Sequence, residues 1–108
     1  SFDVRFAMMM TNGGAAMARR YHRVYHKATG LTFLFAIEPG SDLLHIYARH
    51  LMEPAAAMLA ILAGDWRWNE ERQRYESTYW HQTTGAIVAY WVPIAQKTIL
   101  VISCFREE

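Results

Sequence analysis

The chain has 108 residues, a formal charge of +1 and 53% hydrophobic residues, which suits one packed domain and excludes a disordered tail. A single Cys excludes a disulfide scaffold, and the near-zero charge argues against a protein that coats nucleic acid by charge alone. The charge is uneven, however: residues 1–37 hold five basic groups and one acid, residues 38–65 one basic group and four acids, and the rest five of each. A near-neutral chain of this kind can still own a basic face.

The first residues, 2–10 (FDVRFAMMM), read as a strand or a lead-in, and Asn12-Gly13-Gly14 as a breaker. A helix is predicted from Ala15 to Ala28. Met17, Tyr21, Val24 and Ala28 recur at helical spacing, basic side chains fill most of the remainder, and Gly30 suits its C-terminal stop. The β-branched and aromatic stretch Leu31 to Ile37 predicts a strand, ended by Glu38-Pro39-Gly40. Ser41 or Asp42 can cap a helix running to His50. Pro54 suits the first turn of a second helix that ends at Ala63 before Gly64, with a tight connection at Leu51-Met52-Glu53. This second helix is apolar nearly all round, which predicts burial against a sheet, and its apolar run is far short of the ~20 residues a bilayer span needs.

From Asp65 the pattern alternates. Trp66 and Trp68 share a face, Asn69-Glu70-Glu71 turns the chain, and a strand is predicted over Arg72 to His81. On it Tyr75, Ser77, Tyr79 and His81 take one side, and Arg74, Glu76, Thr78 and Trp80 the other. A turn at Thr83-Thr84-Gly85 leads to a strand over Ala86 to Val92, a turn over Pro93 to Gln96, and a last strand over Lys97 to Phe105. The expected class is α+β. One domain, residues 1–108, has an N-terminal helix, a strand, two consecutive helices and an antiparallel three- to four-stranded meander with the helices on one face. No secretion signal is visible, so the cytoplasm is the expected compartment. Cys104, in an apolar strand, reads as a small buried hydrophobe.

Three groups of residues could carry chemistry. His22 and His26 have the spacing of a helical metal pair, but Arg23 stands where a zinc hydrolase has Glu, and Arg19 and Lys27 repel a cation. No metal and no cofactor are therefore implied. His45-Ile46-Tyr47-Ala48-Arg49-His50 is the most suggestive segment. Imidazoles exchange protons near neutral pH and a guanidinium holds phosphate bidentately, so His45 and His50, with His81, are acid–base candidates beside Arg49. The plainer reading is a helix with Arg49 paired to Asp42 or Glu53. Arg72 and Arg74 with Tyr75 form a strand counterpart that could bind phosphate and stack bases, or simply pair with Glu70, Glu71 and Glu76. Finally, Trp66, Trp68, Tyr79, Trp80, Tyr90 and Trp91 are more rings than a small core easily hides, so some should line a ligand pocket or an oligomer interface.

The segments His45 to His50, Pro54 to Gly64, Arg72-Gln73-Arg74-Tyr75 and Lys97 to Arg106 follow a pattern that resembles the small toxins of the RelE/ParE superfamily, particularly the BrnT-like branch, over about two-thirds of the chain. The resemblance implies a helix pair leading into an antiparallel meander, ribonuclease activity or ribosome-linked cleavage, and an antitoxin protein as partner, with RNA as substrate.

Two functions thus stand side by side. The one that claims less is a small soluble protein acting through an aromatic-rich sheet surface, as a homo-oligomer or a small-ligand-binding module, with no membrane partner. The alternative is a metal-independent endoribonuclease of the toxin type.

Overall fold

Strand periodicity, not helical periodicity, governs the first described residues. The computed structural model of the protein describes residues 19–83 and 85–107. In it Tyr21–His26 is strand β1, paired antiparallel with β2 (Leu31–Ala36) through a turn closed by the Gly30 N–H to the His26 carbonyl. The expected N-terminal helix is therefore wrong over its described part; its start at Ala15 lies outside the described residues, as do residues 2–10 and Asn12-Gly13-Gly14. The physical reason is visible in the packing. Tyr21 and Val24, two members of the supposed helical stripe, lie on opposite faces of the sheet and join different apolar clusters. The aromatic and β-branched content of this segment favours the strand. His22 and His26 consequently lie about 13 Å apart along an extended strand, not one helical turn apart.

Two helices follow, α1 (His45–His50) and α2 (Pro54–Ala63), and then four strands: β3 (Asp65–Asn69), β4 (Arg74–His81), β5 (Gly85–Ala95) and β6 (Thr98–Glu107). All six strands form one sheet in the order β1-β2-β6-β5-β4-β3. The described residues thus form a mixed six-stranded sheet carrying two helices. It replaces the expected arrangement of three helices and an antiparallel three- to four-stranded meander. The unforeseen element is the seam: β2 runs parallel to β6, with Thr32 opposite Thr98 and Phe35 opposite Val101, while every other pair is antiparallel.

Local boundaries shift for identifiable reasons. Neither Ser41 nor Asp42 caps α1. Its N-cap is Leu44 without a side-chain bond, because residues 38–43 form a closed loop held by an Ile37–Leu44 bridge and by the Glu38 N–H to the Leu43 carbonyl. Arg72 belongs to the turn before β4, which needs Gln73 at φ 55°. Pro93 is inside β5, not in a turn. β4 pairs with β5 only as far as Trp91, so Pro93 stands where the ladder on one side has run out and its missing N–H costs nothing.

The main core lies between the sheet and the helices. Phe33, Phe35, Ile87, Ala89, Ile99, Val101 and Cys104 of the sheet pack on Ile46, Met52, Ala57 and Ala60. Two alanines on the inner side let α2 approach closely. At its end, Gly64 is obligatory on space alone: a Cβ there would stand 2.4 Å from the Thr78 carbonyl oxygen. Leu34, Val92 and Ile94 form a second cluster on the opposite face, ringed by Tyr21, Leu100 and Ile102. Register shifts at Tyr90/Trp91 and Pro93/Ala95 mark irregularities of the β5–β6 ladder, the kind of feature that bends strands. No described helix is long and apolar enough to cross a membrane.

Candidate functional site

The closed loop brings together a group that sequence spacing did not show. The Ile37–Leu44 bridge lays residues 36–38 against residues 43–45. The Glu38 carboxylate then accepts from Nδ1 of His45 at 2.6 Å and pairs with Nε of Arg49 at 3.5 Å. Its side chain is 20% exposed. The His45 hydrogen bond, opposed by burial and helped by the charge of Arg49, holds the Glu38 carboxyl below its ordinary range. A carboxylate on Nδ1 orients the imidazole and leaves Nε2 without a described partner. Arg49 is therefore ion-paired as the plainer reading has it, but to Glu38 and not to Asp42 or Glu53. Asp42 instead pairs with Arg20 at 3.6 Å, and the same guanidinium donates to the Ser41 carbonyl. The basic start and acidic middle of the sequence thus partly neutralise each other across this loop.

His45 also lines a cavity of about 270 Å³ with Arg19, Tyr21, Ala36, Leu100 and Ile102. The polar members come from the β1 end and the start of α1, and the apolar ones from β2 and β6.

The aromatic residues divide between the two faces of the sheet. Trp66, Trp68, Tyr75 and Trp91 are cross-strand neighbours on the helix side, since Trp68 opposes Tyr75 and Tyr75 opposes Trp91. Tyr75 stacks on Trp91 with centroids 4.7 Å apart, and Trp66 and Trp68 meet Tyr75 edge-on at 5.5 and 5.0 Å. These are the offset and edge geometries that the ring quadrupoles favour. The inner end is anchored, because the Trp91 indole donates to the buried Ser77 hydroxyl. The outer end is open, with Trp66 64% and Trp68 41% exposed. Tyr79 packs against the main core on the same face. Trp80 and Tyr90 lie on the opposite face, and Trp80 is exposed.

The remaining predicted residues are placed as follows. Arg72 lies over the Tyr90 ring at 5.7 Å, Tyr90 meets Phe105 at 5.9 Å, and Phe105 meets the exposed His50 at 5.8 Å. Arg74 donates to the Arg72 carbonyl. His81 closes the β4–β5 turn, bonded to the Thr83 amide and hydroxyl. Thus His45 and Arg49 share Glu38, and His50 and Arg72 are joined through Tyr90 and Phe105. Tyr75 belongs to the aromatic ladder and His81 to a hairpin end. Among the described residues no group of three or more His, Cys, Asp or Glu is placed to hold a metal.

Glu38, Ser77 and Phe105 went unread as site residues. Glu38 looked like part of a strand-ending turn. The signal that could have found it is its acid at the end of a strand, seven residues before a helical His, across a Pro-Gly pair that lets the chain fold back.

Compared with protein-family models, curated proteins and solved structures, the chain matches none.

Proposed function

We propose that the chain is a homo-oligomeric interaction module whose subunits meet through the aromatic face on the α2 side of the sheet. The observation that carries this reading is the ladder of Trp66, Trp68 and Trp91 around Tyr75, fixed at the Trp91 end and open at the Trp66 and Trp68 end. Rigid aromatic rings give large contact area at little cost in side-chain entropy, and they are the residues that dominate interface energetics. A second feature supports it. The helix α2 has no polar residue, so its outer side carries Leu59 and Leu62, each 38% exposed. A helix apolar all round is normally covered.

The test is the mass in solution. Sedimentation velocity at tens of micromolar should give a mass above 12.5 kDa. The double variant Trp66→Ala/Trp68→Ala should return it to a folded monomer. A wild type that stays monomeric at these concentrations overturns the proposal.

A second reading, a metal-independent ribonuclease of the toxin type, draws support from the run Arg72–Tyr90–Phe105–His50 and from the Glu38–His45–Arg49 cluster. A guanidinium and an imidazole flanking two rings can hold a phosphate backbone and its bases. It predicts salt-dependent RNA affinity, growth arrest on expression, and relief of that arrest by His45→Ala or His50→Ala. Harmless expression of the wild type overturns it.

A further inference from the structure

The cavity beside His45 has a division of labour that the aromatic interface does not use. Leu100 and Ile102 supply an apolar wall from β6, and Ala36 leaves room opposite His45. Arg19, Tyr21 and His45 supply three polar side chains at the same cavity: a permanent cation, a hydroxyl donor and an imidazole. The imidazole is already oriented, because Glu38 occupies its Nδ1 at 2.6 Å and no described residue bonds Nε2. The charged groups around it are Glu38 from the loop, Arg49 one turn along α1, and Arg19, which lines the same cavity.

We infer that this cavity is a binding site for a small monocarboxylate with a short hydrocarbon body, its carboxylate held by Arg19, Tyr21 and His45 and its tail laid on Leu100 and Ile102. The volume of about 270 Å³ equals about nine waters' share of liquid, which suits an acid of around six carbons. With Nδ1 on the Glu38 carboxylate, an imidazolium at His45 bridges two carboxylates, that of Glu38 through Nδ1–H and that of the ligand through Nε2–H. Uncharged analogues of the same shape gain neither the ion pair with Arg19 nor this bridge.

The experiment uses the full chain and hexanoate as probe, with acetate and hexanol as the head-only and tail-only controls. Calorimetry should show saturable hexanoate binding, about tenfold or more tighter than either control. NMR shifts should centre on Ala36, His45 and Leu100 to Ile102. His45→Gln and Arg19→Ala should each weaken binding about tenfold or more, and Ala36→Leu, which fills the space and leaves every charge in place, should abolish it. Hexanoate binding no tighter than acetate or hexanol overturns the inference. So does full affinity in Ala36→Leu, or shifts centred on Trp66 and Trp68. The outcome is independent of the solution mass, so failure here and failure of the oligomer reading are separately visible.

Discussion

The indole N–H of Trp91 donates to the hydroxyl oxygen of Ser77 at 2.8 Å, and Ser77 is completely buried. One polar pair thereby fixes the inner ring of the aromatic ladder in a place where water cannot substitute. Ser77→Ala leaves a half-buried indole N–H without a partner and should cost about 1–3 kcal/mol in chemical denaturation. In a Trp91→Phe background, where the donor is gone, the same substitution should cost much less. Equal costs in the two backgrounds would mean that the bond contributes nothing.

The pairing of Glu38 with His45 sets an acid limit. The charged carboxylate is favoured in the folded chain, so the unfolded chain takes up this proton first as pH falls. The stabilisation is complete above the ordinary carboxyl value of 4.5 and is lost as pH drops through the lowered value in the fold. Glu38→Gln should therefore be less stable than wild type at pH 7. The gap between them should narrow below pH 4.5, as measured by thermal melts across the acid range.

Cys104 sets a limit at the other end. Burial pushes its thiol from an ordinary 9.0 up to about 12, with Arg106 pulling weakly the other way. Between those values the unfolded chain ionises and the folded chain does not, so stability falls as pH rises from 9 towards 12. A disulfide reagent at pH 8 should leave the native thiol unmodified and react fully in denaturant. Rapid reaction of the native protein would contradict the burial of this residue.

At the corner between α1 and α2, Leu51 occupies the left-handed region at φ 56° and closes the helix with the Met52 N–H on the Ile46 carbonyl. This position usually belongs to glycine. Leu51 is 74% exposed, so its side chain contributes little packing to offset the strain. Leu51→Gly should raise stability by roughly 0.5–1 kcal/mol after glycine's larger unfolded-state entropy is subtracted. Leu51→Ala, which keeps the strained Cβ, should give no such gain.

Local chemistry was legible where one rule dominated. Pro54 opens α2 as a first-turn proline should, and Gly64 ends it, though at φ −87° and for lack of space beside Thr78 rather than for a left-handed cap; the two sides of β4 alternate as period two requires. What failed was the segment at Tyr21–His26, where four residues of spacing satisfied a helix and a two-faced strand equally well. The parallel seam was illegible for a different reason: Phe35 and Val101 carry no mark that names each other, and only the closed sheet brings them side by side. The site followed the same division. His45 and Arg49 stood out by residue type, whereas their shared partner Glu38 is defined by a loop that folds back. The Trp and Tyr residues were visible as a class, but which of them share a face depended on register.

β6 is the last strand of the sheet to be made, and it is the one that touches both halves, β2 on one side and β5 on the other. A nascent chain that has emerged only as far as Ala95 owns a hairpin and an incomplete meander with two facing open edges, spanned by the helix layer but by no backbone hydrogen bonds. The ten-residue β6 is what makes the sheet continuous. Until then the gap between β2 and β5 is open to the same strand of a neighbouring copy, so exchange of β6 is the misassembly this topology invites when copies are crowded.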